Sequence, residues 1–315
     1  MNKSPLVSIL IPNFNKGKYL RETLNSVINQ SYTNWECIIV DDHSTDNSWE
    51  ILNEYSRKDY RIKVYKRPDY RKKGGNAARN FAFELSKGEF INWLDSDDLF
   101  TSKKIENQLK IILELNSDLV LSKLANENNK LPEKKFYFID EFNSHIRPIK
   151  FLTGDFWFST STPLFKRKFI LLNDFLFNED LRRNQESEYF AKLLINNPKI
   201  GFIDEVHVIR RYDDNSIFSN YKKLSPKDQI NSDFPIFLNL ANYFKEKDVW
   251  GPLEKEYFVN WYLKIIQYSN LSFPFFFKLF FLTIRDGKWN QIIIFFKSII
   301  YRLFNSYIFK NLYCL

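Results

Sequence analysis

Residues 7–48 read VSILIPNFNKGKYLRETLNSVINQSYTNWECIIVDDHSTDNS and residues 73–98 read KGGNAARNFAFELSKGEFINWLDSDD. In the first stretch an apolar run over 6–11 is stopped by Pro12 and followed by a loop, Asn13-Phe14-Asn15, with Gly17 beyond it. Residues 18–30 then place Leu20, Leu24, Val27 and Ile28 on one helical stripe. A second apolar run, Trp35 to Val40, ends in Asp41-Asp42, and Ser44 or Asp46 can cap the helix that follows. A third strand is expected over Ile62–Tyr65, a helix from about Asn76 to Lys87, and a fourth strand over Phe90–Leu94. Strands and helices alternating at this pace predict βαβ units, hence an α/β, Rossmann-like, mostly parallel sheet flanked by helices.

Outward from this core the pattern weakens. Another helix is expected over 101–117, with Asp98 or Thr101 as its cap, and 123–150 reads as a polar insertion or rim. Residues 156–165 look β-like, and Asn184–Asn196 is helical. After about 230 the alternation stops. That division predicts a catalytic domain over 1–230 and an aromatic-rich helical extension over 231–315, with a soft boundary near Ser225-Pro226 and Phe234-Pro235.

Composition narrows the function classes. A hydrophobic fraction of 44% and 56 aromatic side chains (32 Phe, 17 Tyr, 7 Trp) among 315 residues require a packed interior. Cys37 and Cys314 make no disulfide framework, and the N-terminus shows no signal-peptide pattern, so a cytoplasmic setting is expected. The net charge of +8 suits nucleic acid, an anionic membrane surface or an anionic substrate. No helix-turn-helix, finger or RNA-reading motif accompanies it, so nucleic acid is not expected as a partner. His43, His145 and His207 lack a nucleophile elbow, and neither GxxxxGK[ST] nor GxGxxG occurs.

In an open α/β sheet the ligand binds beyond the carboxyl ends of the strands. The polar clusters Pro12–Asn15, Asp41–Ser44 and Asp95–Asp98 all fall there. Asp95 and Asp97, at i and i+2 past a strand end, can approach one hard cation such as Mg²⁺ or Mn²⁺, or the cluster can simply cap the next helix. Gly74-Gly75 lies among Arg71, Lys72, Lys73 and Arg79 at a helix start, a setting for a diphosphate.

Taken in order, these segments resemble the family 2 glycosyltransferases of the GT-A fold. The likeness is close over 6–99, reasonable to about 219, and absent beyond. It implies an enzyme of bacterial surface-polysaccharide type that moves a sugar from a nucleotide-sugar, with UDP expected, to a hydroxyl of a glycan or lipid-linked glycan. By the same resemblance Pro12 and Phe14 line the nucleobase pocket, Asp42 accepts from the uracil ring N–H, and Gly74 and Arg79 belong to the donor loop. Asp95 and Asp97 correspond to the DxD acids, with Asp97 the metal ligand proper. Glu186 takes the place of the catalytic base, with Glu179, Asp180 and Glu188 as rivals. Arg211 and Ser216 match a segment that closes over the diphosphate, although the family's usual His is Asp213 here. A nucleotidyltransferase and a non-catalytic binding subunit of the same fold are the alternatives.

The extension is read from its residues alone. From Trp289 onward Ile292, Phe295, Phe296, Ile299, Leu303 and Phe304 share one helical face, and no acidic side chain follows Asp286. That face either packs on the catalytic domain, pairs in a homodimer, or lies in an anionic membrane interface on the inner face of the cell membrane.

Overall fold

The computed structural model describes residues 4–128, 148–173, 176–212 and 221–268. The elements from the N-terminus are β1 (Val7–Asn13), α1 (Gly17–Ile28), β2 (Trp35–Asp41), α2 (Ser48–Lys58), β3 (Ile62–Lys66), α3 (Gly75–Leu85) and β4 (Phe90–Trp93). They continue with β5 (Leu99–Phe100), α4 (Lys104–Glu114), β6 (Leu119–Asn126), α5 (Pro148–Thr153), β7 (Leu164–Lys166), α6 (Arg167–Leu172), α7 (Gln185–Ile195) and β8 (Ile200–Arg210). Two further helices follow, α8 (Pro226–Glu246) and α9 (Pro252–Tyr268).

All eight strands join one sheet in the order β3-β2-β1-β4-β7-β6-β8-β5. The first four run parallel, as the periodicity predicts, and β1 and β2 pair in register from Val7↔Trp35 to Asn13↔Asp41. Every residue of β1 and β2 is buried, as strands covered by helices on both faces require. Alternation then sorts their side chains: Ile9, Ile11, Cys37 and Ile39 enter one core, and Leu10, Ile38 and Val40 the other. The sheet is the mixed α/β sheet of the GT-A fold, because β7 runs antiparallel to both β4 and β6, and β5 antiparallel to β8.

The differences from the expected elements lie in that mixed half. Residues 156–162 are not strand; only Leu164–Lys166 pairs, and the preceding segment is a buried turn. The polar region begins later than expected, since β6 runs to Asn126 against β8; the remainder, 129–147, lies outside the described residues. Neither Asp98 nor Thr101 caps α4, which starts at Lys104 without a side-chain cap. Thr101 is taken instead by His207, whose Nδ1 lies 2.8 Å from its Oγ1. His207, itself buried, is held in the fold by that contact.

Cα proximity divides the chain into two compact units, Met1–Asp213 and Asp214–Leu315. In the second, Ser225 caps α8 by accepting from Asp228 N, with Pro226 in the first turn. Pro235 was expected at a boundary but sits inside this helix of 21 residues. Tertiary packing holds it there: Phe237 stacks on Trp261 at 3.9 Å, and Phe244 meets Phe258 at 5.5 Å. The amphipathic segment from Trp289 lies outside the described residues. No helix among those described is long and apolar enough to cross a membrane.

Candidate functional site

The carboxyl ends of β1 and β2 build the first wall. Asn13 Nδ2 donates to Asp41 Oδ1 at 2.7 Å, and Asp42 N donates to Asn13 O at 2.8 Å. Ser44 N and Oγ both donate to Asp41, at 2.9 and 2.5 Å. The loop after β1 is sewn to the loop after β2, since Gly17 N donates to Asp46 Oδ2 at 2.9 Å and Lys16 N to Ser48 Oγ at 3.1 Å. Pro12 is buried at the strand end while Phe14 stays 42% exposed, with Lys73 Nζ 5.3 Å from its ring centroid. Asp42 is buried and ion-paired with Arg67, whose Nη1 also donates to the carbonyls of Pro68 and Arg71.

The acidic turn after β4 forms the floor. Arg79 on α3 donates from Nη2 to Asp95 Oδ1 at 2.7 Å, and Lys16 pairs with Asp97 Oδ2 at 2.7 Å. Arg211 donates from Nε to the Asp97 carbonyl at 2.5 Å, while its other nitrogens reach Glu22, Thr23 Oγ1 and the Tyr19 carbonyl on α1. Asp95 and Asp97 keep 28% and 22% of their side chains accessible, whereas Asp98 is buried behind them. Burial pushes the Asp98 carboxyl well above the usual range; Arg210 opposes this, and Asp95 and Asp97 add to it. Gly74 precedes α3 with φ +135°, a conformation that side chains rarely adopt, and leaves the helix start open. A Cβ on Gly75 would lie 3.1 Å from Arg79 Nη1, so the bare backbone there leaves Arg79 its path to Asp95.

The opposite wall comes from the mixed half of the sheet. Tyr189 and Phe190 anchor α7: Tyr189 stacks on Phe177 at 4.1 Å and Phe190 packs on Phe158 at 4.4 Å. This fixes the first turn of α7, where Glu186 Oε1 accepts from both Thr160 N and Thr160 Oγ1 at 2.7 Å. The next residue, Ser161, reaches the acidic turn: its Oγ accepts from Asp95 N and donates to Asp98 Oδ2, each at 3.3 Å. Arg210, at the end of β8, lies 5.5 Å from the Trp157 ring centroid. Burial works against its charge, but the fields of Asp98, Glu186, Asp95 and Asp97 outweigh it and hold the guanidinium above the ordinary arginine range.

The structure thus gathers Pro12, Phe14, Asp42, Gly74, Arg79, Asp95, Asp97, Glu186 and Arg211 along one edge of the sheet. The rival carboxylates are otherwise engaged. Glu179 pairs with Arg71, Asp180 with Lys72, and Glu188 is buried against Lys192 one turn along α7. Arg71 and Lys72, expected around the Gly pair as anion ligands, are held in those ion pairs. Ser216 lies outside the described residues. Sequence reasoning gave no role to Lys16, Arg67, Thr160, Ser161 and Arg210. Arg210 sits beside Arg211 and Lys16 within the first loop, so both were within reach; the Thr160 contact spans 26 residues and left no local signal.

Comparison with known proteins identifies the family. The model of glycosyl transferase family 2 matches residues 8–179. The chain is 33% identical to the glycosyltransferase GlyG of Streptococcus pneumoniae over 224 residues, covering 66% of this chain and 71% of that protein. It is 42% identical over 113 residues to TuaG of Bacillus subtilis, a putative teichuronic acid biosynthesis glycosyltransferase, covering 36% of this chain and 44% of that one. The chain thus spans under half of TuaG's length. Among solved structures, S. aureus TarS 1–349 in complex with UDP-GlcNAc superposes with a TM-score of 0.65 at 21% identity, over 93% of this chain and 79% of that one. With the family model covering more than half of its length and a GT-A sheet beneath the matched residues, this chain is a member of glycosyltransferase family 2.

Proposed function

We propose that the protein is an inverting, metal-dependent glycosyltransferase that moves a sugar from a UDP-sugar donor to a hydroxyl of a glycan or lipid-linked glycan. The observation that carries the reading is the joining of Glu186 to the acidic turn through the consecutive residues Thr160 and Ser161. Phe14 offers a ring face and Asp42 an acceptor for the edge of a base, and TarS, a structural relative, is recorded with UDP-GlcNAc. Lys73 and the open start of α3 provide positive potential for the diphosphate.

Among the described residues no group of three or more His, Cys, Asp or Glu side chains could enclose a metal. The donor set nonetheless fits a Mg²⁺- or Mn²⁺-type site, which takes one or two carboxylates and completes its shell with substrate phosphates. Asp97, with Asp95 beside it, would hold the ion, both being oxygen ligands with accessible side chains. Such an ion, when bound, supplies neutralisation of the charge that grows on the departing diphosphate. Lys16, paired with Asp97 here, is placed to turn to a phosphate oxygen of the donor. Glu186 takes the acceptor proton as the hydroxyl oxygen bonds to the anomeric carbon from the face opposite the leaving diphosphate, inverting the configuration. Arg210 offsets the mutual repulsion of Asp98, Glu186, Asp95 and Asp97.

The basic charge and the TuaG likeness support a cytoplasmic enzyme, peripheral on the inner membrane face, that serves surface-polysaccharide assembly. The test is a screen of nucleotide-sugars for release of nucleoside diphosphate by the full chain, with Mn²⁺, Mg²⁺ or EDTA. Metal-dependent turnover of a UDP-sugar is expected. Release of inorganic pyrophosphate from a sugar phosphate and a nucleoside triphosphate would instead identify a nucleotidyltransferase.

A further inference from the structure

The turn Ser159–Thr162 is buried throughout, yet it is made of hydroxyl residues. Its shape is set internally, Thr162 N and Oγ1 both donating to Ser159 O, at 3.1 and 2.9 Å. Three side chains clamp it from behind. Asn92 Nδ2 on β4 donates to Ser161 O at 3.2 Å, and Gln108 Nε2 and Lys104 Nζ on α4 donate to Thr162 O at 2.8 and 3.2 Å. Lys104 is fully buried, its other polar partner being Gln108 Oε1 at 2.5 Å, with the Phe100 ring 4.7 Å away. Burying an ammonium among neutral partners is costly, and here it anchors a carbonyl of this turn.

A turn held this firmly aims its own donors. Thr160 presents N–H and Oγ1–H to the same oxygen of Glu186, and both bonds are 2.7 Å long. Both donors are neutral, so they orient the carboxylate without cancelling its charge, unlike Lys16 on Asp97 or Arg79 on Asp95. With Oε1 occupied twice, the proton of the acceptor is left for Oε2. Ser161 ties the same turn to Asp95 and Asp98, so the distance from base to acidic turn is set by one peptide unit.

We infer that Thr160 is a positioning residue for the transfer reaction: it fixes the Glu186 carboxylate so that Oε2 faces the acceptor hydroxyl. The inference rests on Glu186 being the base and on nothing remote from it. Losing one of two hydrogen bonds to a charged group is expected to cost about 10- to 100-fold in kcat, with the donor and acceptor KM values unchanged.

The experiment is a double-mutant cycle on the full chain with Thr160→Val, Glu186→Gln and the pair, scored by transfer kinetics and a thermal melt. Thr160→Val should slow kcat in the wild-type background and do nothing further in the Glu186→Gln background, because its effect passes through that carboxylate. Thr160→Ser should restore kcat, and Thr160→Cys, a weak donor, should fall between. Equal losses in both backgrounds, or a loss carried in KM, would overturn the positioning role while leaving the base intact. A fully active Glu186→Gln would remove the base assignment itself. Should Thr160→Val fail to fold, the Ser and Cys variants decide: equal rates for the two refute the inference.

Discussion

The two walls of the site hold their carboxylates in opposite ways. On the donor side three acids are paired with cations: Asp42 with Arg67, Asp95 with Arg79, Asp97 with Lys16. On the acceptor side Glu186 is held, among the described residues, by the neutral donors of Thr160, with Arg210 supplying a field rather than a contact. An ion-paired carboxylate is charge-compensated and must exchange partners before it can serve a ligand. A carboxylate held by neutral donors is oriented without a cation in contact, so it can take up a proton without first exchanging a partner. On the proposed function, the donor wall is arranged for exchange of cations and phosphates, and the acceptor wall for uptake of a proton.

That contrast can be broken experimentally. The largest effect is expected at Asp97→Ala, where donor turnover should fall about 10³-fold with far-UV circular dichroism near native; unchanged turnover and unchanged metal response would remove the donor-wall site. Next, Glu186→Gln should lower transfer about 10²-fold while equilibrium binding of UDP stays at the wild-type level. If UDP binding falls in step with the rate, the two walls are not functionally separate. Asp42→Asn keeps the shape but breaks the charge pair with Arg67. It should weaken donor binding about 10-fold and leave saturated turnover intact, and calorimetry with UDP reads this directly.

The smallest effect concerns the seam between the walls. Burial raises Asp98 above its unfolded value, so its contribution to stability is present below the unfolded pKa and lost as pH rises through the folded one. Asn mimics the protonated form. Asp98→Asn should thus melt about 2–4 °C above wild type at pH 8 in EDTA, with the gap closing toward pH 4. A gap independent of pH would show that Asp98 is ionised at no cost, and that Arg210 compensates it fully.

Much of the donor wall was legible in the residues themselves. Val7–Asn13 and Trp35–Asp41 are continuous apolar runs with turn residues at their ends, and a parallel sheet puts all such ends on one edge. Periodicity therefore implied both the fold class and the neighbourhood of Pro12, Asp42 and Asp95. The acceptor wall was legible only as the helix expected over Asn184–Asn196 and, through the family resemblance, as Glu186. Its short strands, Leu99–Phe100 and Leu164–Lys166, carry too few residues for a period to register. The turn over 159–162 is polar in sequence, yet buried because Lys104, Gln108 and Asn92 satisfy its carbonyls from elements distant in the chain. Local alternation of apolar and polar residues determined which strands were covered and where they stopped. Only tertiary packing decided which cation meets which carboxylate, and that Thr160 meets Glu186, because those hydrogen bonds join segments whose separation in sequence carries no periodic trace.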